Sequence, residues 1–173
     1  MALLLKDGAV ADNPWITIAD GAADPLPDGP VIVGLAEWRR DRAALSARNT
    51  PLGVRLKSSE RADEIAADLD RFTLVALEFP VFRDGRPFST ARELREHYGF
   101  RGEIRALGHV LADQYQFLVR TGFTSVEVAD GAALVNWRHA LSEITVAYQP
   151  GAIDESPLSS LRRRVATPGS QPA

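Results

Sequence analysis

From residue 31 to residue 149 the sequence repeats one unit, a short apolar run followed by a stretch with helical spacing. Nothing else in the chain constrains its fold as tightly, because strands separated by helices pair in parallel through crossovers of one hand. Val31–Leu35 predicts the first of these strands and Glu37–Ser46 its helix. Gly53–Lys57 is the second strand, with Ser58 or Ser59 placed to cap a helix that runs to Leu69. Thr73–Phe79 is the third; its helix opens at Thr90, where Thr90 and Glu93 fit a capping box, and stops at Gly99. Glu103–Leu107 precedes a helix from Val110 to Thr121, closed by Gly122, and Ser125–Val128 precedes a helix over Ala132–Ile144. Five strand–helix units predict an α/β domain with a mostly parallel sheet, open or half-barrel-like, since eight units close a β/α barrel.

The strands themselves alternate, and successive strand residues point to opposite faces. Val54 and Leu56 oppose Arg55 and Lys57; Val75, Leu77 and Phe79 oppose Glu78; Ile104 and Ala106 oppose Glu103 and Arg105; Val126 and Val128 oppose Glu127. A sheet covered on both faces has continuous apolar strands instead. The pattern therefore places the helices mainly on one face and leaves Arg55, Glu78, Arg105 and Glu127 together on the other. With the strands in sequence order, each carboxylate falls between two guanidinium groups. That polar face is solvated, or lines a pocket, or is covered by the N-terminal hairpin or a second subunit.

Residues 1–19 predict a β-hairpin, with strand-like Leu3–Leu5 and Ile16–Ile18 and turn chemistry in Lys6-Asp7-Gly8. Residues 20–30 are a Pro/Gly/Asp loop. Residues 1–150 make a single domain, and residues 151–173, rich in Pro, Ser and Gly with a basic knot at Arg162–Arg164, a flexible tail. At 173 residues, 45% hydrophobic and 25% charged, the chain has enough length and apolar content for one packed core. The absence of cysteine excludes disulfides, cysteine-held iron–sulfur clusters and cysteine zinc sites, and points to a reducing, cytoplasmic setting. No window approaches the roughly 20 apolar residues of a membrane span. A net charge of −3 argues against a nucleic-acid partner.

The densest chemistry runs from Glu78 to Arg92, from a strand's carboxyl end to a helix N-terminus, where α/β folds place ligands. Arg83, Arg86 and Arg92 supply forked donors, and Ser89 and Thr90 stand where free backbone N–H groups attract anions. The segment is a candidate site for a small oxyanion. His109 follows Leu107-Gly108 at the end of the next strand, so Glu78, His109 and Arg105 are the catalytic candidates. His97 and His139 read as surface residues of helices, and Asp113 suits the first turn of its helix for dipole reasons alone. No metal-ligand spacing, GxGxxG, GxSxG or HExxH motif is present, and no cofactor or metal is implied.

The stretch VALEFPVFRDGRPFSTARELREHYGFRGEIRALGHVLADQYQFLVRTGFTSVEV, with AYQPG at Ala147–Gly151, resembles the proteobacterial family called domain of unknown function 934. The resemblance is strong over about residues 70–151, and Phe79-Pro80, Arg83-Asp84-Gly85-Arg86, Asp113-Gln114 and Tyr148-Gln149-Pro150 fall in its motifs. Genes of that family commonly lie beside sulfite reductase, and its members are often labelled oxidoreductases of sulfite reduction. The resemblance thus implies an accessory or oxidoreductase protein of assimilatory sulfite reduction with sulfite reductase as partner, and it brings no catalytic residues. A small-anion-binding enzyme with its site at 78–92 and the strand rim is the second reading. A structural homo-oligomer using the polar sheet face is the third. Convergence of Arg83, Arg86 and His109 on one pocket would favour the enzyme; splaying into solvent would favour a partner surface.

Overall fold

Asp7 and Gly8 decide how the chain begins. The computed structural model describes residues 3–21, 26–129, 133–142 and 151–152. Asp7 and Gly8 both have positive φ, 49° and 75°, the geometry of a two-residue hairpin turn. Leu3–Lys6 (β1) therefore folds back on Ala9–Ala11 (β2), with Lys6 opposite Ala9 and Leu4 opposite Ala11. The predicted hairpin exists, but its second strand is not Ile16–Ile18, which lies beyond the reach of so tight a turn. Ile16–Thr17 (β3) instead runs parallel to Val31–Gly34 (β4).

The repeating units follow as Leu35–Ser46 (α1), Leu52–Leu56 (β5), a 3-10 segment Ala62–Arg71, Leu74–Phe79 (β6), Arg86–Glu96 (α2), Glu103–Gly108 (β7), a 3-10 turn Ala112–Gln114, Tyr115–Thr121 (α3), Ser125–Val128 (β8) and Leu134–Ser142 (α4). Each expected strand appears within a residue of its place. Three helices differ. Neither Ser58 nor Ser59 caps the helix after β5; the Ser58 hydroxyl accepts from Arg86 at 3.0 Å, and the 3-10 segment begins where Glu64 accepts the Arg61 N–H at 2.7 Å. α2 starts at Arg86, four residues before Thr90, because Pro87 is preset for the first turn and Asp84 accepts the Arg86 N–H at 3.1 Å. Thr90 is interior and bonds back to the Arg86 carbonyl at 3.2 Å. The helix expected from Val110 opens as a 3-10 turn in which Gln114 accepts the Leu111 N–H, and becomes α-helical at Tyr115. Its end at Gly122, φ 113°, is where expected. Ile144, the Tyr148-Gln149-Pro150 motif and residues 153–173 of the predicted tail lie outside the described residues.

The strands form one sheet in the order β2-β1-β8-β7-β6-β5-β4-β3, parallel from β3 to β8 and antiparallel where β1 meets β8 and β2. Laid flat, seven gaps of about 4.8 Å would set the two edge strands roughly 33 Å apart. Residues 12–15 alone join those edges, and five extended peptide steps span at most about 17 Å. The sheet is accordingly curled into a half-barrel, and residues 12–15 are a strap across its concave side.

The convex side carries the helices. Val33, Val54, Val75, Leu77, Phe79, Ile104, Ala106 and Val126 pack there against Trp38 of α1, Leu94 of α2, Leu118 of α3 and Trp137 of α4. On the concave side a small apolar cluster of Ile32, Leu74, Ala76 and Leu107 is covered by Trp15 of the strap. Among the described residues no helix is long and apolar enough to cross a membrane.

Candidate functional site

Arg55, Glu78, Arg105 and Glu127 do share the concave face, since β-ladder partners and residues two apart point the same way. Their spacing differs from a simple alternating ladder. Arg55 and Arg105 both pair with Ala76, in one row, whereas Glu78 pairs with Leu107 and Glu127 with Leu4, one row farther on. Alternation of sign along the sequence therefore becomes a diagonal offset on the sheet: Arg55 pairs with Asp20 instead, and Arg105 keeps Glu127 but adds Glu103 and Asn13. Arg105 is 0% exposed beneath the strap. It donates from Nε to Glu103 at 2.8 Å, and from Nη1 to Asn13 Oδ1 at 2.9 Å and Glu127 at 3.1 Å. Lys6 and Ser125 each donate to Glu103 at 2.6 Å. Burial opposes ionisation of Glu103, but these hydrogen bonds and the Arg105 charge outweigh it and hold its pKa below the ordinary carboxyl value. The network is a strand-and-strap clamp. Among the described residues no hydrogen bond or ion pair joins Glu78, Arg105 and His109.

The C-terminal rim holds the rest. Gly108, φ 91°, closes β7, and a Cβ there would strike the Phe79 carbonyl, which the His109 N–H reaches at 2.8 Å. His109 itself is exposed. Arg83 is exposed too, while Arg86 is folded onto Asp84 at 2.6 Å and Arg92 onto Glu96 at 2.8 Å. The Arg86 hydrogen bond holds the Asp84 carboxyl far below its usual range. Arg86, Ser89 and Thr90 line a groove with Ser58, Arg61, Glu60 and Glu93, so its guanidinium groups face carboxylates. Arg83, Arg92 and His109 are not among its lining residues. Of Arg83, Arg86 and Arg92, only Arg86 lines this groove.

What the sequence reading missed is apolar. Val81 and Phe82, 47% and 51% exposed, stand on the loop after β6, and Leu111 and Phe117, 45% and 51% exposed, follow β7. One side chain ties the two loops: Gln114 donates to the Phe82 carbonyl at 2.7 Å while accepting from Leu111 at 3.1 Å. Phe117 packs against Phe88 of α2 with ring centroids 4.7 Å apart and the planes tilted by 55°. The signal was present as Pro-Val-Phe-Arg in a loop that needs no apolar residues. A second missed feature is a recess where β4 and β5 end. Asp20 bridges Arg55 and Lys57 there, the latter at 2.8 Å, and Gly34, Glu37 and Glu60 complete the walls. The Lys57 hydrogen bond lowers the Asp20 pKa, and Asp20 raises that of Lys57. Asp20 was hidden in a segment whose composition reads only as a loop.

These features define a helix-backed parallel half-barrel whose concave face is strapped shut and whose C-terminal rim is both apolar and charged. The family model for a bacterial protein of unknown function (DUF934) matches residues 53–159, from β5 onward, and the chain belongs to that family. No curated protein matches it.

Proposed function

We propose that the chain is an accessory protein of assimilatory sulfite reduction in the cytoplasm, docking onto sulfite reductase through its C-terminal rim. The observation that carries this reading is the set of exposed apolar side chains Val81 and Phe82 on the loop after β6, Leu111 after β7 and Phe117 in the first turn of α3, because exposed aromatic and aliphatic residues grouped on one rim mark a partner surface. That the groove takes in Arg86 but neither Arg83 nor His109 supports a surface over a reaction centre. The resemblance of residues 70–151 supplies the partner. Purified chain should bind sulfite reductase in interferometry, and Phe82→Asp should weaken binding at least tenfold while leaving circular dichroism unchanged, as expected for an aromatic anchor near the middle of an interface. Absence of binding by wild type, with a concentration-dependent dimer in sedimentation, would transfer the patch to a homo-oligomer.

A second reading, a small-anion-binding enzyme at the 78–92 groove, is favoured by the hydroxyls of Ser58, Ser89 and Thr90 beside Arg61 and Arg86. Sulfite titration into Arg86→Ala tests it: a tenfold loss supports the groove.

A further inference from the structure

The recess at the ends of β4 and β5 is built around cations fixed on the sheet and an anion carried by a loop. Arg55 lies within β5 and Lys57 is the first residue after that strand, whereas Asp20 comes from the segment after β3 with its side chain 47% exposed. Asp20 pairs with Arg55 Nη2 and with Lys57 Nζ, yet Arg55 Nε is buried and has no acceptor. The built-in carboxylate therefore satisfies the guanidinium only in part. A ligand with two oxygens on one centre takes Nε and Nη2 together, which is the geometry arginine favours. We propose that Arg55 and Lys57 form a binding site for a small monoanion, a carboxylate or hydrogen sulfite, which Asp20 keeps closed by occupying it.

The single charge follows from the walls. Glu37 is held by the Gly21 N–H at 2.8 Å and Glu60 by the Lys57 N–H at 2.7 Å, so both carboxylates remain when Asp20 leaves. Two cations then face two fixed anions, and the ligand replaces one negative charge with one. A dianion such as sulfate would add repulsion from Glu37 and Glu60. Gly34 keeps the floor open, since a Cβ there would collide with the Glu37 carboxylate and lie 3.3 Å from Asp20 Oδ1. This recess shares Glu60 with the 78–92 groove, but its cations are Arg55 and Lys57 where the groove has Arg61 and Arg86, so the two proposals are tested by different variants.

Calorimetric titration of formate, hydrogen sulfite and sulfate into wild type and variants tests the site. Asp20→Ala should bind formate or hydrogen sulfite at least tenfold more tightly than wild type does, and more tightly than it binds sulfate. Adding Arg55→Gln should abolish that gain, and adding Arg86→Ala should leave it intact. Asp20→Asn, which keeps the loop's shape, replaces the alanine variant if circular dichroism shows the latter unfolded. Equal affinities for wild type and the Asp20 variants, or binding lost with Arg86→Ala and kept with Arg55→Gln, would overturn the proposal; the second result would place the anion in the groove instead.

Discussion

Arg95 and Arg92 sit one turn apart on α2 and do opposite things. Arg92 faces solvent and pairs with Glu96, both 47% exposed. Arg95 is 7% exposed and donates to three carbonyls, those of Phe100 at 2.7 Å, Gly102 at 2.8 Å and Gly122 at 2.9 Å. Burial pulls its pKa down to about 10, still far above neutrality, so it stays charged and joins α2 to the segments that lead into β7 and β8. Arg95→Met should lower the unfolding free energy by about 3–5 kcal/mol, because three carbonyls lose a charged donor inside the protein. Arg92→Ala should cost under about 0.5 kcal/mol. Urea denaturation of the two variants decides it, and equal effects would contradict this assignment. Nothing in the residue pattern separates the two arginines, because Arg95 finds its partners through backbone turns at Gly102 and Gly122 that only the packed fold brings near.

At the scale of elements, strand positions and the one-sided apolar face were legible because a period of two cannot be mistaken over several consecutive strands. Helix starts were less so: Thr90-Ala91-Arg92-Glu93 satisfies a capping box on paper, but Pro87 and Asp84 start α2 earlier. Cover of the polar face by the N-terminal hairpin was one of the options the strand pattern left open, but the strap itself was not legible, since residues 12–15 look like a hairpin loop until β3 is placed at the far edge. Its work is to close the concave face, with Trp15 over Ile32, Leu74, Ala76 and Leu107, and Asn13 on Arg105. Glu103 anchors the same network, and its folded pKa lies below the unfolded one. Its contribution is therefore complete above the ordinary carboxyl value of about 4.3 and vanishes as pH falls through the lower folded value. Glu103→Gln should be about 1–2 kcal/mol less stable than wild type at pH 7, with the gap closing below about pH 4. Thermal melts between pH 3 and pH 7 measure this; a constant gap would mean that the charge on Glu103 contributes nothing.

For the whole molecule, the fold class followed from the repeat of strand and helix, while the degree of curl followed from one short connection that no local pattern marks. The candidate site was legible as a location, the C-terminal rim, and not as a set of partners. Arg86 and Arg92 read as free donors in sequence and are held by Asp84 and Glu96 in space. The rim's exposed aromatic and aliphatic side chains, which lead to the docking proposal, read in sequence as ordinary loop residues. The proposal of a role beside sulfite reductase is tested most directly by growth of a strain lacking this gene on sulfate or sulfide as sole sulfur source. The account predicts failure on sulfate, normal growth on sulfide, and rescue on sulfate by the wild-type gene but not by Phe82→Asp. Equal growth on both sources without the gene would contradict it.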